Sequence, residues 1–141
     1  MPPRGRETLI VRHGPVYDHF AHRWCLKGEL LDGTQATTII DLAPDRHTAR
    51  IHPAAIPTYS LTLIPTDIAR LATVCRTPST AAFTSASTSL TVTHTTDCIV
   101  MASATTSHAL TITYRHNTAA ALAVITAELQ DMLPRPHAVA S

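Results

Sequence analysis

The stretch SLTVTHTTDCIVMASATTSHALTITYRHNTAAALAVITAELQDML, residues 89–133, decides how this chain folds. From Leu90 the residues alternate. Leu90, Val92 and His94 fall on one side, and Thr91, Thr93 and Thr95 on the other. A period of two in β-branched residues marks a half-buried strand. Thr96-Asp97 reads as a turn, because an Asp side chain can bond its own backbone. Cys98 to Thr105 reads as a second run, with a polar break at Thr106-Ser107. A third run sets Leu110, Ile112 and Tyr114 inward, with Thr111, Thr113 and Arg115 outward. Connections this short join neighbouring antiparallel strands. Asn117 or Thr118 then offers a helix cap. The spacing predicts a helix from about Thr118 to Leu133, ended by Pro134. Leu122, Ile125, Leu129, Met132 and Leu133 share a face that needs cover, and the preceding sheet is the natural partner.

Upstream, Thr8 to Val11 reads as a short strand stopped by Gly14-Pro15. Val16 to Leu26 fits either a helical stripe or a strand. Its aromatic and branched content, with the Asp32-Gly33 hairpin signal downstream, favours strand. Ala36–Leu42, Thr48–His52 and the run from Tyr59 to Leu63 read as further strands, with Pro53 and Pro57 marking a bend or an edge. A second helix, about Asp67 to Arg76, is expected to be capped at Thr66-Asp67 and to bury Ile68, Leu71, Ala72 and Cys75. Neither a repeat nor a linker divides the sequence. The expectation is one α+β domain over residues 1–141, with 1–7 and 134–141 as peripheral tails. It has a mainly antiparallel sheet of six or seven strands and two helices packed on one face.

Composition narrows the function. The chain has 141 residues, 45% of them hydrophobic, enough for a core without disulfide or metal staples. A net charge of +1 with dispersed basic residues argues against nucleic acid and anionic membranes. Tyr17, Phe20 and Trp24 beside His22 and Arg23 offer stacking and charge, but no basic stripe extends from them. No apolar run reaches the ~20 residues of a membrane span. The N-terminus lacks the apolar core of a secretory signal, so a cytoplasmic location is expected. Three cysteines, with no Cys-x-x-Cys pair, read as buried and reduced.

Between Thr77 and Tyr114 the only charged side chain is Asp97. Sheet faces and edges are normally guarded by charges against unwanted pairing. The threonines Thr91, Thr93, Thr95, Thr111 and Thr113 therefore mark a candidate contact surface. The function expected from it is non-catalytic. It is a protein-interaction or assembly domain, such as an immunity-type inhibitor, a phage structural component or an adaptor, that meets a protein partner or itself through this face or its edge. No cofactor is expected.

Two other constellations carry chemistry. The run Leu9-Ile10-Val11-Arg12-His13-Gly14 resembles the phosphohistidine motif of the histidine phosphatase and phosphoglycerate mutase superfamily. Thr66-Asp67-Ile68-Ala69-Arg70 is similar to that family's second phosphate-binding arginine region. The resemblance implies an α/β fold and a small hydrolase in which His13 is the nucleophile and Arg12 and Arg70 hold phosphoryl oxygens. Pro15 stands where the family has Glu, Gln or Thr. The second constellation is Asp18, His19 and His22, since two His and a carboxylate can make a facial metal site. On a strand, Asp18 and His22 share a face that His19 opposes.

Overall fold

A computed structural model describes residues 20–54, 56 and 59–134. Strands β1 (His22–Glu29), β2 (Gln35–Leu42), β3 (Ala49–Pro53) and β4 (Leu61–Leu63) lead into helix α1 (Pro65–Arg76). Strands β5 (Ser79–Ser85), β6 (Thr88–His94), β7 (Cys98–Ala104) and β8 (Ala109–Arg115) then lead into α2 (Asn117–Asp131). All eight lie in one sheet of order β4-β3-β2-β1-β8-β7-β6-β5, and every neighbouring pair is antiparallel. The α+β class agrees with the sequence reading, and among the described residues the sheet has eight strands instead of six or seven. The antiparallel ladder also departs from the α/β fold that the Arg-His-Gly resemblance implies.

The added strand is β5. Ser79–Ser85 is rich in Ser, Thr and Ala, and Phe83 is its one large apolar residue, so local propensity is weak. Tertiary pairing supplies what propensity lacks, because each of its seven residues is in register with β6. The strand expected within Val16–Leu26 is observed at His22–Glu29. Thr8–Val11 and residues 16–19 lie outside the described residues, and β1 begins only at His22. Its hairpin forms at Asp32-Gly33 as expected. Thr34 N–H donates to Asp32 Oδ1 at 2.8 Å, and Gly33 takes a positive φ of 88°.

The chain thus repeats one plan, four antiparallel strands followed by a helix. Exchanging the two units maps the β8/β1 neighbourhood onto β4/β5. The β8/β1 seam is paired at Glu29 and Thr113. Gly28 makes that approach possible, since a Cβ there would lie 2.5 Å from Ile112 Cγ2 and 3.0 Å from Tyr114 Cε2. Tyr114 crosses this gap in β1, and its hydroxyl hydrogen-bonds Thr38 Oγ1 on β2. The β4/β5 seam is bridged where Thr62 N–H donates to Ser85 Oγ at 3.3 Å, so the sheet nearly closes into a barrel. Inward residues fill it, leaving a void of about 20 Å³, room for a single water.

Both helices join the same core as the inward strand residues. Helix α1 starts earlier than expected, with Pro65 in its first turn. Ile64 is the N-cap, and the Asp67 carboxylate reaches back to accept from Ile64 N–H at 3.3 Å. Val74 joins Ile68, Leu71, Ala72 and Cys75 in the interior. Helix α2 ends at Asp131, and its N-cap is His116 at φ 46°, with no side-chain cap from Asn117 or Thr118. Leu122 and Leu129 are buried, while Ile125, Met132 and Leu133 are only partly so. The middle of the face belongs to Thr126, whose hydroxyl donates to Leu122 O at 3.0 Å. Full burial of each leucine contributes roughly 1.5–3 kcal/mol. Among the described residues no helix is long and apolar enough to cross a membrane.

Candidate functional site

Alternation along the strands sends every second side chain of β5–β8 outward, away from the core residues Phe83, Leu90, Val92, Ile99, Met101, Ile112 and Tyr114. Register then sorts those outward residues into three cross-strand rows of four. The central row is Ala82, Thr91, Ala102 and Thr111. On one side lie Thr80, Thr93, Val100 and Thr113, and on the other Thr84, Ser89, Ala104 and Ala109. No member of the three rows is charged. The nearest charges sit at the rim, where Arg115 Nε approaches Glu29 Oε1 at 3.5 Å, both about half exposed. Four of the five predicted threonines, Thr91, Thr93, Thr111 and Thr113, occupy these rows. Thr95 does not, because the strand ends at His94. Its Oγ1 instead accepts from Asp97 N–H and Cys98 N–H in the β6–β7 turn, both at 3.3 Å.

The outward residues of β1–β3 are of another kind. Register aligns Arg23, Asp41 and Arg50 in one row. Asp41 is fully buried, and both its oxygens accept from Arg23, through Nε and, at 2.6 Å, through Nη2. The Arg23 guanidinium lies 4.3 Å from the centre of the Phe20 ring. His52, nearby on β3, is also buried. Its Nδ1–H donates to Pro53 O at 2.9 Å, and desolvation holds its pKa below the usual imidazole value.

Of the other predicted groups, Arg70 and His22 are described. Arg12, His13, Asp18 and His19 lie outside the described residues. Arg70 serves the β5 edge: it donates to Ala82 O at 2.7 Å and lies 4.6 Å from the Phe83 ring centre. His22 is exposed, and its ring centre lies 4.3 Å from that of Trp24 with the planes tilted by 48°. Among the described residues no three His, Cys, Asp or Glu side chains converge on a metal position. All three cysteines are free. Cys25 is exposed on β1 instead of buried, Cys98 is half-buried, and burial pushes the Cys75 thiol up to about 12.

A feature missed in the sequence is a cleft of about 870 Å³ at one end of the barrel. Arg50, Ser60 and Thr62 wall one side, and the turns 85–88 and 105–108 the other. The signal was present, since every second turn of a meander lies at the same end of the sheet. No family model, curated protein or solved structure matches the chain.

Proposed function

We propose that this chain is a non-catalytic assembly module whose working surface is the neutral outer face of β5–β8, and that its partner there is a second copy of itself. One observation carries the reading: three aligned rows of uncharged, short side chains across four strands. A two-fold axis parallel to the strands reverses each row upon itself. Ala82 then meets Thr111, Thr91 meets Ala102, Thr84 meets Ala109 and Ser89 meets Ala104, so each alanine faces a hydroxyl-bearing residue. Isologous interfaces need this self-complementarity. A net charge of +1 adds little repulsion between copies.

Size sets the strength. Strands ~4.8 Å apart and rows ~6.8 Å apart give roughly 400 Å² per copy. The ~800 Å² total is below the ~1,000 Å² of stable interfaces. The dimer is therefore weak and concentration-dependent. Sedimentation velocity from about 10 μM to about 1 mM checks it, a range that spans micromolar to millimolar Kd. Wild type is expected to shift toward dimer across that range. Thr91→Lys/Thr111→Lys, which sets four ammonium groups across the two-fold, is expected to remain monomeric. Its melting should stay within about 0.5 kcal/mol of wild type, since these positions are on the surface. A wild type that is monomeric at every concentration overturns the reading, and so does a lysine variant that still dimerises.

A further inference from the structure

Strand β5 has β6 on one side only. Across the seam, β4 shares no backbone hydrogen bond with it among the described residues. Side chains bridge that gap instead. Thr62 N–H donates to Ser85 Oγ near one end, and Arg70 Nη2 donates to Ala82 O at the middle. In an antiparallel strand the N–H and C=O of one residue point to the same side, and those of the next residue point to the other. Ala82 O faces the gap, so Thr80, Ala82 and Thr84 all turn their backbone groups toward it. All three are also exposed. The strand has no charged side chain of its own, which leaves a neutral edge seven residues long.

We infer that β5 is a self-pairing edge, that the partner it fits is the β5 of a second copy, and that Arg70 is the latch that keeps it shut. Ser79-Thr80-Ala81-Ala82-Phe83-Thr84-Ser85 reads almost alike in both directions. A two-fold axis through Ala82 sets Ser79 against Ser85, Thr80 against Thr84 and Ala81 against Phe83 of the other copy. The residue on that axis must turn its backbone outward for the strands to bond, and Ala82 does. Thr80 with Thr84, Ala82 with Ala82 and Thr84 with Thr80 then exchange about six hydrogen bonds. Arg70 opposes this in two ways. Its guanidinium occupies Ala82 O, held there by Asp67 Oδ1 at 3.4 Å and by the Phe83 ring at 4.6 Å. The same axis also drives two Arg70 guanidiniums together, and like charges repel. Charge placed over an open edge is a common guard against pairing. The edge is separate from the outer face, so the two modes of association are independent.

The test uses the full chain carrying Thr91→Lys/Thr111→Lys, which blocks pairing through the face, in sedimentation velocity up to about 1 mM. Adding Arg70→Ala should produce a dimer. The Arg70 side chain is 48% exposed, so the fold should survive its loss, and Arg70→Gln should behave alike. Ala82→Pro on top of either removes an N–H that β6 does not use and should restore the monomer. Hydrogen exchange reads the edge directly. On dimerisation the amides of Thr80, Ala82 and Thr84 should slow about tenfold or more, while those of Ala81 and Phe83, already turned to β6, change little. Monomers in both Arg70 variants overturn the inference. So does a dimer that persists with Ala82→Pro, or one that leaves the three edge amides unprotected. If the lysine pair itself dimerises, the face reading fails, and the three amides still decide the edge.

Discussion

On β1–β3 the outward positions include Arg23, Lys27, Glu29, Asp41 and Arg50, while on β5–β8 they hold Thr, Ser, Ala and one Val up to the rim at Arg115. The two units share a strand order and a following helix, yet they manage their outer surfaces by different means. The first fixes its ladder with a buried ion pair and presents charge to water, which discourages chance pairing. The second has no ion pair within its three outward rows and leaves that surface electrically quiet. The two units thus share one core and differ in what they show to water.

The largest expected effect breaks the charged side. Asp41→Ala leaves Arg23 against a surface built around a carboxylate, and losing one member of a buried pair costs about 3–5 kcal/mol. Arg23 keeps 13% of its side chain exposed and can turn to water, so the low end of that range is expected. Urea denaturation checks this, and a change below about 1 kcal/mol would show the pair to be ornamental. The next acts on the seam between the units. Gly28→Ala forces Ile112 and Tyr114 to shift and is expected to cost about 1–3 kcal/mol by overpacking, read as a lower urea midpoint. A neutral result there means that the units adjust freely against one another.

The smallest effect is a pH dependence confined to the first unit. His52 is held neutral by burial, so its folded pKa lies below the ordinary 6.5. Above that value both folded and unfolded chains carry it uncharged and it has no effect. As pH falls below 6.5 the unfolded chain gains a proton that the folded chain resists, and stability is lost until the lowered folded value is reached. His52→Gln should flatten that part of the profile between about pH 7 and 5. Identical profiles for wild type and variant would place the titration elsewhere.

The second unit was the more legible of the two. Thr91-Val92-Thr93 and Thr111-Ile112-Thr113 declare their faces because alternation and β-branching agree there. Helix α1 declares itself by its period. Elsewhere local signals misled. Ser79–Ser85 has little strand propensity and is extended only because β6 pairs with it. Ile125 looked like the better core residue than Thr126, but the threonine satisfies its hydroxyl within its own helix and so can be buried. Thr95 continued the alternation in sequence, while the turn needed its hydroxyl more. Arg70 fitted a phosphate motif in sequence and proved to close a strand edge. Of the cleft, the meander placed the turns 85–88 and 105–108 together, but Arg50 meets them only through near-closure of the barrel, which no neighbouring residues encode.

The repeated plan bears on how the two outer coats can differ. Each run of four strands and a helix has two borders, and each border meets the other run, at Glu29 and Thr113 on one side and at Thr62 and Ser85 on the other. Because the junctions rest on backbone and small polar groups, a charged coat on one run and a bare coat on the other can coexist in one sheet without either disturbing the seams.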